Sequence, residues 1–265
     1  ERVEGAQSIK RIFDKLYKPF DNHYAKKKNK GTEWLKDHTP FAGELLLGHL
    51  RYGTHGKNGK RNCHPFIRKN NWINRNLVVA GNFNLTNVDE LFDHLVGLGQ
   101  YPSEKTDTIT VMEKIGHFLD VEIQRLYNYH KKDGDSRMDV AKIINENLDV
   151  CRLLERSAKD FDGGYTMAGM IGHGDAFVMR DPSGIRPAFY YQDKEVVVVA
   201  SERPAIQTAF NVHIDKVKEL PRGNALIIRK NGNTSINQFT ELRERTACSF
   251  ERVYFSRGTD REIYL

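Results

Sequence analysis

Apolar residues recur at every third or fourth position in parts of the chain, which is the spacing of an amphipathic helix. This pattern predicts four helices, over residues 8–17, 88–98, about 106–130 and 138–159. Ser8 is a suitable N-cap for the first helix, and Gly99 is a typical residue after the end of the second. The turn at 131–134 separates the two long helices. A large helical part in the middle of the chain is therefore expected.

Shorter apolar runs on either side of the long helices predict β-strands. Residues 44–52 and 77–83 form such runs, with 72–73 as a short additional stretch. Later in the chain, three pairs of strands flank turn residues typical of hairpins: 165–171 with 176–180, 188–191 with 195–200, and 225–229 with 235–239. Ser201 is expected to cap a short helix over 203–210. Strands, then helices, then strands predict an α+β domain in which antiparallel sheets pack between helices.

The composition is that of a globular protein and excludes several classes. Of 265 residues, 39% are hydrophobic and 29% are charged, so a disordered chain is excluded. No segment approaches the roughly 20 apolar residues of a membrane helix. Residues 1–20 do not resemble a signal peptide, and three widely spaced cysteines favour a reducing cytoplasm over a disulfide framework. We therefore expect a cytoplasmic protein with no membrane partner.

The net charge is slightly positive. Lys+Arg number 41 and Asp+Glu 35, so the formal charge is +6. A basic surface can bind nucleic acid, but much of this excess lies in the polar segment 26–30. A solvated loop is the favoured interpretation, and no nucleic-acid partner is expected.

Three segments contain residue types that suit chemistry. Arg51 ends an apolar run before a glycine-rich turn, so its guanidinium either binds a carboxylate or pairs with a structural Asp. In the segment 81–87, Asn82 and the following backbone N–H are suitable oxyanion donors, although Asn and Gly also favour turns. Asp107, at the start of a long helix, either caps that helix or receives an ammonium group.

Two further patterns carry less weight. The turn 180–187, with two Arg and one Asp, is interpreted as mainly structural. The histidines show no spacing typical of a metal site, and the adjacent pair Cys63-His64 is weak evidence for either a metal or a nucleophile. No metal site is therefore predicted in this chain.

Taken together, the segments 51–56 (RYGTHG), 81–87 (GNFNLTN) and 106–108 (TDT) resemble the motifs of class II glutamine amidotransferases, which are N-terminal-nucleophile enzymes. The resemblance covers nearly the whole chain. It implies an αββα arrangement of layered antiparallel sheets, incomplete at its N-terminus and with a long helical insert over about 107–159. Residues 1–245 would form a partial glutaminase domain.

Four later segments narrow the resemblance to members that pass ammonia to phosphoribosyl pyrophosphate: residues 162–165, 180–187, 200–202 and 248–257. Such members make 5-phosphoribosylamine in the first step of purine biosynthesis. The resemblance implies that 246–265 is a linker to an absent phosphoribosyltransferase domain, which would use Mg²⁺, and that the parent protein is a homo-oligomer. It also implies that Cys248 matches an iron–sulfur ligand of some members, although no cofactor is expected in this chain.

The resemblance assigns roles to individual residues. In this family an N-terminal Cys attacks the side-chain amide of glutamine and forms a thioester that water hydrolyses. Arg51, supported by Thr54, would bind the glutamine carboxylate, and Asp107 would bind its ammonium group. The side-chain amide of Asn82 and the backbone N–H of Phe83 would stabilise the oxyanion.

Two departures from the family pattern have consequences. The nucleophilic Cys does not occur in this chain, so we expect the fragment, which looks truncated at both ends, to be inactive. Phe83 stands where the family has Gly, which places a side chain in the oxyanion turn. Two alternatives to the glutaminase remain open at this point: a non-catalytic binding or assembly module with the same fold, and a basic nucleic-acid-binding domain.

Overall fold

The computed structural model describes residues 2–5, 7–25, 31–50, 63–102 and 104–254. The chain divides into two compact units, Glu1–Pro65 and Phe66–Leu265. The described sheets both lie in the second unit.

The first unit contains two helices, α1 (Ser8–Ala25) and α2 (Thr32–His38). Helix α1 is longer than the predicted 8–17 and continues through Pro19. Ring contacts stabilise its last turns, because His23 meets the edge of Trp34 at 5.1 Å between ring centroids. Periodicity within α1 alone does not reveal such contacts with a neighbouring helix.

The prediction of a strand over 44–52 is wrong for the residues that the structure describes. Residues 44–50 form no strand, and Leu46 and Leu50 are 73% and 80% exposed. A strand requires a neighbouring strand for its backbone N–H and C=O groups, and an apolar run alone does not specify one.

The second unit contains two antiparallel sheets. The larger has six strands in the order β1-β2-β3-β4-β8-β9, and the smaller has three in the order β6-β5-β7. The strands are β1 (Phe66–Arg68), β2 (Leu77–Leu85), β3 (Gly163–Ile171), β4 (Ala176–Arg180), β5 (Phe189–Gln192), β6 (Val197–Ala200), β7 (Lys218–Glu219), β8 (Asn224–Ile228) and β9 (Thr234–Gln238). All three predicted hairpins are therefore confirmed.

The helices of the second unit are α3 (Val88–Gly97), α4 (Asp107–His130), α5 (Arg137–Asn147), α6 (Val150–Ala158), α7 (Arg203–Phe210) and α8 (Ser249–Tyr254). The helices predicted over 88–98, about 106–130 and 203–210 are confirmed, whereas the one predicted over 138–159 is divided and α8 was not predicted. Gly99 has φ +78°, the left-handed conformation expected just after a helix.

The single helix predicted over 138–159 is two helices. Asp149 interrupts it, because its carboxylate accepts a hydrogen bond from the N–H of Arg152 at 2.9 Å and so begins α6. The guanidinium of Arg229 donates to the carbonyl oxygens of Leu148 at 2.7 Å and Asn145 at 2.9 Å, which satisfies the end of α5. Since Arg229 is distant in sequence, helical periodicity did not reveal the break.

The short strand predicted at 72–73 is also wrong. Residues Ile73–Arg75 form a 3₁₀ turn before β2. The side chain of Asn70 accepts from the N–H of Trp72 at 2.9 Å, and Asn76 accepts from the N–H of Asn70 at 2.7 Å. Such side-chain bonds compete with strand pairing.

Three hydrophobic clusters show how the second unit is layered. The largest lies between α3–α6 and one face of the large sheet, and includes Leu77, Val79, Leu91, Ile115, Ile144 and Leu154. A second lies between the two sheets and includes Val178, Leu226, Tyr190 and Val197. A third lies between the small sheet and α7 and includes Phe189, Val198 and Ile206. The layer order is therefore helix, sheet, sheet, helix, which confirms the predicted α+β, αββα architecture.

Candidate functional site

Asn82 lies on the face of β2 that is turned toward the small sheet. Side chains alternate between the two faces of a strand. Leu77, Val79 and Leu85 belong to the helix-facing core, and Phe83 packs against it. Asn82 therefore points the other way, and it is paired in register with Thr166 on β3. It is half-buried, so the amide is partly sheltered from solvent.

The side-chain amide of Asn82 is held by a residue near the end of the described chain. Its Nδ2 donates a hydrogen bond to Oε1 of Glu251, on α8, at 2.8 Å. The same carboxylate oxygen accepts a hydrogen bond from Nη1 of Arg186, and Glu251 is buried. Sequence reasoning did not select Glu251. The one signal for it was its place in the segment that follows Cys248.

The backbone N–H of Phe83 points away from β3. Tyr165 is the residue opposite Phe83. Its N–H donates to the carboxylate of Asp181 at 3.3 Å, and its C=O accepts from the N–H of Asp181 at 2.8 Å, so both groups point away from β2. The pair Phe83–Tyr165 is therefore of the non-hydrogen-bonded kind, so that the Phe83 N–H lies on the side of β1. The ring of Phe83 packs into the helix-facing core, so the side chain does not occupy the position of the N–H.

The turn that follows β2 is fixed to the segment before β3. The N–H of Thr86 donates to the carbonyl of Asp162 at 2.9 Å, and Nδ2 of Asn87 donates to the carbonyl of Asp160 at 2.8 Å. Hydrogen bonds from Thr86 and from Arg243 lower the pKa of the Asp162 carboxyl. These bonds hold the C-terminal end of β2 in place.

The turn 180–187 is built around one buried carboxylate. Asp181 is fully buried and accepts hydrogen bonds from the backbone N–H groups of Ser183 at 3.0 Å, Ile185 at 2.9 Å and Arg186 at 3.0 Å. Arg180 donates to the carbonyl oxygen of Arg186 at 2.7 Å. The structural interpretation of this turn holds for Arg180 and Asp181, whereas the side chain of Arg186 reaches out to Glu251.

Asp107 is the first residue of α4 and is half-buried. The cap of the helix is Thr106, whose side chain accepts from the N–H of Ile109 at 3.4 Å. Within the described residues, the carboxylate of Asp107 makes no hydrogen bond or ion pair, and none joins it to Asn82. Arg51 and Thr54 lie outside the described residues.

Among the residues that the structure describes, no group of three or more His, Cys, Asp or Glu side chains is arranged to hold a metal ion. Cys248 is half-buried, and its N–H donates to the carbonyl of Ile185 at 3.4 Å. No helix in the described ranges is long and apolar enough to cross a membrane.

The model of the family "Glutamine amidotransferases class-II" matches residues 14–139. Similar curated proteins are amidophosphoribosyltransferases. That of Archaeoglobus fulgidus is 28% identical over 243 residues, covering 90% of this chain and 46% of the relative. That of Bacillus subtilis is 29% identical over 216 residues, covering 81% and 38%. The chain thus spans less than half the length of these relatives.

Similar solved structures belong to the same kind of protein as these curated relatives. The glutamine phosphoribosylpyrophosphate amidotransferase of B. subtilis, complexed with ADP and GMP, is 26% identical with a TM-score of 0.51. A second structure, described as the allosteric regulatory enzyme of purine biosynthesis, is 25% identical with a TM-score of 0.53. Each match covers 79% of this chain and 38% of the other. Sequence and structure comparisons therefore point to the same group of proteins.

Proposed function

We propose that this chain, which carries a class II glutamine amidotransferase domain similar to that of amidophosphoribosyltransferases, is the glutaminase part of such an enzyme. In this proposal glutamine hydrolysis releases ammonia, which replaces pyrophosphate on phosphoribosyl pyrophosphate and gives 5-phosphoribosylamine. The second step belongs to a phosphoribosyltransferase region, where Mg²⁺ would assist. The parent protein would act in purine biosynthesis as a homo-oligomer.

The placement of Asn82 is the observation that carries the proposal. Asn82 lies on the face of the large sheet that is turned toward the small sheet, and the N–H of Phe83 follows it on the same strand. Two donors of this kind suit the negative oxygen that forms when a nucleophile attacks the amide carbon of glutamine. Strand pairing and the turn after β2 fix the backbone N–H of Phe83, and the hydrogen bond to Glu251 orients the amide of Asn82, so little reorganisation is needed during the reaction.

Substrate recognition is assigned to residues at the edges of this site. Arg51 would bind the α-carboxylate through two parallel hydrogen bonds, with Thr54 in support. Asp107 would receive the α-ammonium group. The absence of an internal partner for its carboxylate, within the described residues, is consistent with this role.

The test is a glutamine hydrolysis assay on the natural full-length protein and its variants. We expect Asn82→Ala to lower kcat by about 10²–10³-fold with little change in KM, as for other oxyanion-hole donors. Asn84→Ala is the matched control, because Asn84 lies two residues further on the same face of β2 and is exposed. Equal kcat values for Asn82→Ala and the wild type would contradict the oxyanion role. Absence of ammonia release by a folded wild-type protein would favour the non-catalytic binding module.

A further inference from the structure

We propose that Glu251 is a positioning residue for the oxyanion donor Asn82, so that this donor depends on the docking of α8. The inference rests on the proposed function, because it assigns Glu251 a role through Asn82. Glu251 itself would not touch the substrate.

The hydrogen-bond geometry supports this role. The side-chain amide of Asn82 has two N–H hydrogens, and one is used by Oε1 of Glu251 at 2.8 Å. Among the described residues, this is the one hydrogen bond of the Asn82 side chain. The bond fixes the orientation of the amide plane and leaves the second hydrogen for a ligand. Without Glu251 the amide would rotate more freely about its side-chain torsions.

The charge of Glu251 requires compensation. A carboxylate beside an oxyanion donor disfavours the negative charge that develops in the reaction. Nη1 of Arg186 donates to the same oxygen that accepts from Asn82, and so offsets that charge. Arg186 is fixed in turn, since its N–H donates to Asp181 at 3.0 Å and its carbonyl accepts from Arg180 at 2.7 Å. The rigid turn 180–187 thus supports Glu251, which supports Asn82.

The chain that leads into α8 is held against the same turn. The N–H groups of Arg243, Thr246 and Cys248 donate to the carbonyl oxygens of Pro182, Ser183 and Ile185, at 3.2, 2.9 and 3.4 Å respectively. The segment 243–248 therefore follows the turn residue by residue and delivers Glu251 to Asn82. Undocking of this segment would release the amide.

Steady-state kinetics of the full-length protein test the inference. We expect Glu251→Ala to lower kcat by about tenfold or more, a part of the 10²–10³-fold effect of losing an oxyanion donor, with KM nearly unchanged. Glu251→Gln keeps an acceptor oxygen for Asn82 and should recover most of the lost kcat. The double variant Asn82→Ala/Glu251→Ala should be no slower than Asn82→Ala alone, because the two residues act through one interaction.

Glu219→Ala is the matched control. Glu219 forms an ion pair of 2.7 Å with Arg180 of the same turn, so its loss disturbs the turn without touching Asn82. We expect it to leave kcat unchanged. An equal loss in Glu219→Ala and Glu251→Ala would overturn the inference in favour of a general weakening of the turn, and a higher kcat in Glu251→Ala would show that Glu251 obstructs the donor.

A measurement on the 265-residue chain tests the contact without requiring activity. The ¹⁵N–¹H₂ signals of the Asn82 side chain can be assigned by their loss in Asn82→Ala. They should shift in Glu251→Ala and stay in place in Glu219→Ala. Unshifted signals in Glu251→Ala would overturn the positioning role. If instead Asn82→Ala has normal kcat while these signals shift, the oxyanion role fails and the contact stands.

Discussion

The side-chain amide of Asn82 donates a hydrogen bond to the carboxylate of Glu251 at 2.8 Å, although the two residues are 169 positions apart. Asn82 belongs to β2 in the large sheet, and Glu251 belongs to the last described helix. This contact therefore links the candidate oxyanion donor to the C-terminal part of the described chain. Substitutions near this contact, and in the turns and helices around it, should separate effects on kcat and KM from effects on the free energy of unfolding.

The side chain of Phe83 is expected to serve stability and not the reaction. Its ring packs against the helix-facing core, whereas its N–H points away from β3 in the plane of the sheet. Phe83→Gly should therefore lower the free energy of unfolding by about 2–3 kcal/mol, measured by urea denaturation, while kcat of the full-length protein changes little. Phe83→Leu, which retains most of the buried volume, should lose less. Full stability in Phe83→Gly would contradict this assignment.

The carboxylate of Asp107 is expected to act mainly on substrate binding. Asp107→Asn should raise KM for glutamine and lower the free energy of unfolding by only about 0.5 kcal/mol, since the carboxylate has no hydrogen-bond or ion-pair partner within the described residues and contributes through the helix dipole. The neighbouring variant Thr106→Ala should do the reverse and cost about 1 kcal/mol of stability, because Thr106 is the cap. An unchanged KM in Asp107→Asn would refute the ammonium-binding role of Asp107. In the same assay, an unchanged KM in Arg51→Ala would refute the carboxylate-binding role of Arg51.

The buried carboxylate of Asp181 should be among the most sensitive positions for stability. It accepts hydrogen bonds from the backbone N–H groups of Tyr165, Ser183, Ile185 and Arg186. Asp181→Asn replaces one acceptor oxygen by a donor, so we expect a loss of about 2–3 kcal/mol. The control is Asp193→Asn on the exposed β5–β6 turn, where Asp193 also accepts two backbone N–H bonds, and its cost should stay below about 1 kcal/mol. Similar losses at both positions would mean that burial is not the deciding factor.

Lys114 should make the free energy of unfolding depend on pH in the alkaline range. It is fully buried on α4, and burial lowers the pKa of its amine even though Asp160 lies 3.3 Å away. Between this lowered value and the unfolded pKa of about 10.4, the unfolded chain binds more protons than the native chain, so the free energy of unfolding rises with pH. At lower pH the buried charge reduces stability.

Lys114→Met removes that buried charge and retains most of the packing volume. We expect it to stabilise the protein at neutral pH by an amount on the order of 1 kcal/mol, and the gain should shrink as the pH approaches about 10. Lys105→Met, at an exposed ion pair with Asp89, should stay within about 0.5 kcal/mol at every pH. Urea denaturation at several pH values measures both. A gain that grows toward alkaline pH would mean that burial does not lower the pKa of Lys114.

The sequence by itself determined the local elements and the general class of fold. Helical periodicity predicted α3 and α4, and turn residues predicted the three hairpins, because these patterns arise from residues close together in the chain. The order of the elements was sufficient to predict antiparallel sheets between helices. The motif around Asn82 was also visible, since it consists of consecutive residues.

Only the tertiary structure decided what depends on distant residues. Arg229 ends α5 at a point that periodicity did not reveal, and residues 44–50 form no strand despite their apolar run. The sequence showed Asn82 as a donor but not the face on which it lies, nor that Glu251 and Arg186 hold it. Hydrogen bonds between residues far apart in sequence leave no periodic signal, because they are set by how the layers pack and not by neighbours along the chain.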